Sequence, residues 1–218
     1  MNPLTVRLGL PAERGPRILV VSAHADDAEI GAGGTIARLV AERPAAEVTW
    51  VVLAAPVRER AEEARTSAAR LLGGTSRAIH VGDLRDGYLP FLGAAPKEAL
   101  AAHQAVDPDL VIGPRREDAH QDHRLVAELI PQLFRRGTIL EYEIAKWDGD
   151  LGPANLYVPL SATEVAAKLA HLTSAFPSQH DHDWWSAETF TSILRLRGIE
   201  CRAPDGMAEA FTCRKLVV

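Results

Sequence analysis

Cysteine is scarce: the 218-residue chain has two, Cys201 and Cys213, too few for a disulfide scaffold or a cysteine-based zinc site. No apolar run approaches the roughly 18–20 residues that a membrane-spanning helix needs. The opening Met1-Asn2-Pro3-Leu4-Thr5-Val6-Arg7 lacks the basic-then-apolar layout of a signal peptide. A basic excess is missing too. The 24 Lys and Arg against 29 Asp and Glu give a net charge of −5 and a pI near 5.9, so nucleic acid is not an expected partner. Lysine is rare, 4 against 20 arginines, which hints at a GC-rich bacterial source. Repeats, low-complexity tracts and long linkers are absent as well. What remains is ordinary globular composition, 47% apolar and 24% charged, which leads us to expect one cytoplasmic domain over residues 1–218 with no integral membrane segment.

The patterning is that of an α/β protein. Arg17-Ile18-Leu19-Val20-Val21-Ser22-Ala23 is short, β-branched and almost wholly apolar, as a parallel strand buried on both faces should be. Further strands are expected at 47–54, 78–81, 110–112 and 138–144. Helices are expected from Thr35 up to Pro44, over 58–72, 96–106 and 121–134. Strand and helix thus alternate with short links through residue 145, which predicts a Rossmann-like, doubly wound, mainly parallel sheet with helices on both faces. The last third reads as a helical and strand extension. Ser161 and Glu164 form a capping box that starts a helix to about Ala175. A second helix is expected over 185–196, and a closing strand over 210–218.

Two clusters of polar residues stand just beyond predicted buried strands. The first is His24-Ala25-Asp26-Asp27-Ala28-Glu29, and the second is Asp118-Ala119-His120-Gln121-Asp122-His123. Charges placed where the chain is built for burial cost several kcal/mol unless they are paired or bind a metal. His120 and His123 are three apart, so on a helix they share a face. In a doubly wound sheet the first and fourth strands are neighbours at the point where strand order reverses, and ligands bind outside their carboxyl ends. The two clusters can therefore converge on one cation. Two histidines, a carboxylate and an open position suit catalytic zinc, and the same set suits Fe(II).

The first cluster resembles the His-Pro-Asp-Asp-x-Glu signature of the PIG-L/LmbE-like zinc-dependent N-deacetylases, with Ala25 in the proline position. His120-Gln121-Asp122-His123 is similar to the His-x-Asp-His signature of the same family. The resemblance implies a hydrolase that removes the N-acetyl (N-acyl) group of an N-acetylglucosamine-type sugar or conjugate through zinc-activated water. By the same resemblance His24, Asp27 and His123 bind Zn2+ (or Fe2+), and Asp26 is the general base. His120 stabilises the oxyanion and protonates the leaving amine, and Asp122 orients or tunes a neighbouring histidine. Arg60, in a stretch similar to the family's Arg-x-x-Glu helix, is expected to hold sugar hydroxyls.

Asp86 and Gln179 are further candidates for substrate contact, and Trp184 and Trp185 could stack on a sugar. Tyr142 could lend its hydroxyl to the tetrahedral intermediate or serve only in packing. Glu29 is expected to hold its loop. Two alternatives stand beside this reading. Gly31-Ala32-Gly33-Gly34 could belong to a Rossmann-type nucleotide-binding module, although Ile36 occupies the third glycine position of that fingerprint. The Ala25 departure also allows a metal-binding homologue without activity. His180-Asp181-His182-Asp183 looks like a second metal cluster but reads better as a rim loop. The expected partner is a small amino-sugar substrate; a homo-oligomer is compatible with everything in the sequence.

Overall fold

The computed structural model describes Gly9, Pro11 and residues 14–216. The opening heptapeptide and the last two residues of the expected closing strand lie outside the described residues. Seven strands form one sheet, β1 (Arg17–His24), β2 (Glu47–Ala54), β3 (Ser76–Val81), β4 (Leu110–Pro114), β5 (Thr138–Tyr142), β6 (Leu156–Pro159) and β7 (Ala208–Cys213). Their order is β3-β2-β1-β4-β5-β7-β6. The first five pair in parallel, and β7 lies antiparallel between β5 and β6. The helices are α1 (Asp27–Glu42), α2 (Arg58–Leu72), α3 (Ala95–Ala101), α4 (Gln121–Leu133), α5 (Ala162–Ala175) and α6 (Ala187–Cys201). This is the doubly wound α/β architecture that the alternation predicted.

The central strand shows why its sequence is continuously apolar. Successive side chains of β1 point to opposite faces. Ile18 and Val20 pack with Trp50, Ile36 and Phe176 on one side of the sheet, while Leu19 and Val21 pack with Leu100, Val126 and Ile130 on the other. Each such side chain taken fully out of water contributes about 1.5–3 kcal/mol, so the strand is apolar from Ile18 to Val21, and polar residues, the small Ser22 and then His24, come only at its carboxyl end.

Several bounds differ from the sequence reading: the helix expected over 96–106 ends at Ala101, and the closing strand expected over 210–218 runs over Ala208–Cys213, leaving 214–216 outside it. Helix α1 starts at Asp27, eight residues before the expected run at Thr35, so the acids and glycines lie in its first turns. Gly31 and Gly34 make this possible, since an added Cβ would sit 2.5 Å from the Tyr142 ring or 2.7 Å from Leu160. With these glycines inside a helix, there is no glycine-rich loop to cradle phosphates, and the nucleotide-module reading loses its basis. Helix α6 runs later than expected, ending at Cys201. Strand β6 has no counterpart in the prediction; it is a four-residue, half-exposed edge strand, whose pairing with β7 supplies what its pattern does not.

Candidate metal centre

The carboxyl ends of β1 and β4 lie side by side, with Val20 in register with Ile112. At the end of β1 the chain turns sharply at Asp26, whose φ of 92° is left-handed for a residue with a side chain. Such a conformation costs on the order of 1–3 kcal/mol and persists only where the surroundings impose it. Here Arg60 imposes it from α2. One of its guanidinium nitrogens donates to the Ala25 carbonyl (2.6 Å) and to Asp26 Oδ2 (2.8 Å). Asp27 opens α1, and its Oδ2 accepts from the His24 backbone N–H at 2.8 Å. Beyond β4, His120 caps α4, with Nδ1 accepting from the Asp122 backbone N–H at 3.3 Å. This cap directs the first turn of α4, and with it Asp122 and His123, toward the end of β1.

Three donors then face one another. His24 Nδ1 and His123 Nε2 are 3.1 Å apart. Asp27 lies 3.3 Å from His123 Nε2 through Oδ1 and 3.8 Å from His24 Nδ1 through Oδ2. Donors about 2.0–2.2 Å from a tetrahedral ion are separated by roughly 3.3–3.5 Å, so the triangle has the size of a zinc-type site.

The tautomers point the same way. His24 Nε2 is 3.1 Å from both Asp122 Oδ2 and Asp86 Oδ1, and His123 Nδ1 is 2.9 Å from Asp118 Oδ2. A carboxylate only accepts, so each of these ring nitrogens carries the proton. The other nitrogen of each ring, His24 Nδ1 and His123 Nε2, faces the gap between the rings, and loss of its proton would free a lone pair there for a cation. His120 also offers a nitrogen to a three-histidine group whose donor atoms lie within 4.8 Å of one another. The Asp27 triangle closes through both carboxylate oxygens, Oδ1 toward His123 and Oδ2 toward His24.

The buried charge also calls for a cation. Asp26, Asp27, Asp118 and Asp122 are all buried here. Burial raises the Asp26 carboxyl to about 7, with Arg60 pulling the other way. For His123, burial lowers the pKa, but Asp27 and Asp118 outweigh it and hold the ring at about 9. Asp118 is held at about 2, because His123 and Lys146 overcome its burial. His120 is lowered by burial and by the neighbouring His123 and His24.

The structure thus brings His24, Asp26, Asp27, Arg60, Asp86, His120, Asp122 and His123 to one place. Asp122 reaches His24 and also accepts from the backbone N–H groups of Gly87 (2.8 Å) and Leu89 (3.0 Å), so it fixes the loop that presents Asp86. Gln179 does not reach the centre directly. Its amide donates to Ser178 Oγ, which in turn meets Arg60 and Glu63. Tyr142 is fully buried and donates to the Val21 carbonyl at 3.0 Å, the packing role. Glu29 accepts from Ser67 on α2 at 2.6 Å, joining two helices. Trp185 packs in the core against Phe176 and Phe190. In the 180–183 segment, His180 bonds the Thr173 carbonyl and Asp183 bonds Trp147. Among the described residues no group able to hold a metal includes that segment.

Sequence reasoning placed Asp118 in the second cluster without a role and missed Lys146. Asp118 sits two residues before the His-x-Asp-His signature, and that proximity was the one available signal. Lys146 Nζ, 3.0 Å from Asp118 Oδ1, comes from the loop after β5 and gave none.

Residues 19–134 match the PIG-L family, described as GlcNAc-PI de-N-acetylase. The chain belongs to the PIG-L family. The matched stretch, more than half of this PIG-L chain, runs from β1 to just past α4 and holds both clusters. Among solved structures, the N,N'-diacetylchitobiose deacetylase of Pyrococcus horikoshii is similar at 22% identity and a TM-score of 0.70, over 95% of this chain and 86% of that one. GalB of Pseudomonas putida KT2440, a 4-carboxy-2-hydroxymuconate hydratase, is similar at 21% identity and a TM-score of 0.70, over 93% of this chain and 98% of that one. The A40926 pseudoaglycone deacetylase Dbv21 follows at 17% identity and 0.62, over 93% and 99%. At these identities the shared feature is the fold. No helix among the described residues is long and apolar enough to cross a membrane.

Proposed function

We propose that this chain is a metal-dependent N-deacetylase that hydrolyses the N-acyl group of an N-acetylglucosamine-type sugar or conjugate. The observation that carries the reading is the His24–Asp27–His123 triangle with the buried Asp26 carboxylate next to it in the chain. When bound there, a divalent ion, Zn2+ before Fe2+, lowers the pKa of water to about 7 and polarises a carbonyl. The protein's own residues do the rest. Asp26, held by Arg60, accepts the proton of the attacking water as the new C–O bond forms. His120, neutral at rest, donates a hydrogen bond to the developing oxyanion; the proton taken by Asp26 passes through His120 to the departing nitrogen as the amide C–N bond breaks, so both groups return to their starting state. Asp122 and Asp86 orient His24, Asp118 orients His123, and the products are a carboxylic acid and a free amine.

Arg60 and Gln179 belong to the sugar side of this reading, with Arg60 also fixing the base. Asp86, exposed at the mouth of the centre, is placed to accept sugar hydroxyls. Residence in a bacterial cytoplasm fits the same proposal. The fold alone does not select the reaction, because a hydratase shares it at the same TM-score as a deacetylase. Family membership and the position of His120 beside the His24–Asp27–His123 triangle support amide hydrolysis. Metal analysis of the purified protein, combined with an amine-release screen over N-acyl amino sugars with and without chelator, tests this. Stoichiometric zinc with chelator-sensitive amine release is expected. Bound zinc without amine release from any such sugar would leave the inactive-homologue reading standing instead.

A further inference from the structure

Beside the metal centre, two loops bring three aromatic rings together. Trp147 follows β5, while His182 and Trp184 precede α6. The His182 and Trp184 rings are stacked, with centroids 6.0 Å apart and an interplanar angle of 11°. Trp147 stands across both at 5.5 and 5.8 Å, with angles of 86° and 75°. Its indole N–H donates to Asp183 Oδ1 at 2.8 Å, which fixes the ring. Even so, 67% of Trp147 remains exposed. A fixed indole whose polar atom is already bonded offers solvent chiefly its face.

Both loops are tied to the reacting groups. Lys146, adjacent to Trp147, is 3.0 Å from Asp118, which holds His123. On the other side Ser178, four residues before His182, bonds Arg60 and Glu63, and Arg60 holds Asp26. The rings therefore sit at the rim of the centre, anchored at one end to a proposed metal ligand and at the other to the proposed base.

We propose that Trp147, with His182 and Trp184 behind it, is a stacking platform for a second pyranose ring, joined to the amino sugar whose N-acyl group is cleaved. This inference rests on the N-deacetylase reading and deepens it: the substrate is a glycoside of at least two rings. A pyranose presents apolar C–H groups on its face and hydroxyls around its edge. The platform matches that division, with the exposed Asp183 carboxylate at the indole edge and the exposed Asp148 next to Trp147 in the chain. A protein partner would need a broader apolar area than one ring. Among the other large exposed hydrophobic residues, Phe91 follows the loop that presents Asp86, away from the Trp147 and His182 loops, and Leu196 and Ile199 lie on α6.

The test compares kcat/KM for β-1,4-linked N-acetylglucosamine disaccharide with that for the monosaccharide, in the wild type, Trp147→Ala and Trp147→Phe. The wild type is expected to favour the disaccharide. Removing an aromatic anchor should lower the disaccharide-to-monosaccharide ratio about tenfold in Trp147→Ala, and Trp147→Phe should restore most of it. Equal use of the two sugars by the wild type, or an unchanged ratio in Trp147→Ala, would overturn the platform. A titration of the same disaccharide with chelator present, followed by ligand-observed NMR, reads binding without turnover. If no sugar releases amine, the deacetylase reading fails on its own, and this titration still decides the platform. Binding lost in Trp147→Ala supports it, and binding equal in the variant, or absent in the wild type, refutes it.

Discussion

Replacing Asp118 by alanine should loosen the metal without removing a ligand. The Asp118 side chain is 3% exposed and engages His123 Nδ1 at 2.9 Å and Lys146 Nζ at 3.0 Å. It also accepts the His120 backbone N–H at 2.8 Å. The carboxylate therefore holds His123 in the tautomer whose Nε2 is free for the ion, and steadies the turn that carries His120. A hydrogen bond with a charged partner is worth about 1.5–3 kcal/mol net. Loss of an outer-shell partner of a metal-bound histidine typically costs 10–100-fold in affinity, about 1.4–2.7 kcal/mol. The two ranges agree, so a 10–100-fold weaker affinity for Zn2+ is expected in Asp118→Ala. Lys146 keeps Asp150 at 2.9 Å and Asp148 at 3.5 Å, so its ammonium is not left buried and unpaired. Competition against a fluorescent zinc chelator measures the change, with thermal unfolding of the metal-free protein as a control on folding. An affinity within twofold of wild type would falsify the assignment of Asp118 as the residue that orients His123.

Asp26→Ala should lower deacetylation by at least about 10²–10⁴-fold, the contribution usual for a general base, while retaining zinc on metal analysis; full activity would remove Asp26 from that role. Gly31→Ala should destabilise by about 1–3 kcal/mol, because its Cβ would meet Tyr142 at 2.5 Å. Gly33→Ala, with nothing within 4 Å, should stabilise α1 by about 0.5–1 kcal/mol. Denaturant unfolding of both variants reads the contrast, and equal effects would contradict the packing. His171 is depressed to about 4 by burial and by Arg70, so between about pH 6.5 and 4 only the unfolded chain takes up its proton. That contribution to stability is present above pH 6.5 and lost as pH falls through 4. Melting temperatures across this window should fall less steeply in His171→Gln, and parallel curves would refute the linkage.

Much was legible in the residues themselves. The central strands β1 and β4 announced themselves because burial on two faces demands apolar runs, and the capping box at Ser161 and Glu164 formed as its local spacing requires. The two polar clusters stood out for the same reason, being charged where the chain is otherwise built for the interior. Local pattern also sufficed for His120 and His123, since a single helical turn relates them. Strand β6 was invisible because half-exposed edge residues show neither an apolar run nor a clean alternation, and its place depends on β7. The start of α1 was misjudged because glycines there read as a loop until the Tyr142 ring is known to lie against them.

Tertiary structure alone decided the surroundings of the centre. It turned Arg60 toward the Asp26 carboxylate, set Asp86 and Asp122 on His24, and delivered Lys146 to Asp118 from the far side of β5. It spent the Tyr142 hydroxyl on the Val21 carbonyl and placed an exposed indole at the rim. The division has one physical cause. Burial and helical or strand period act over a few residues and leave a trace in their order. Pairings between groups 28 to 98 positions apart, from Lys146–Asp118 to His24–Asp122, arise only when strand order and loop paths bring those groups within reach.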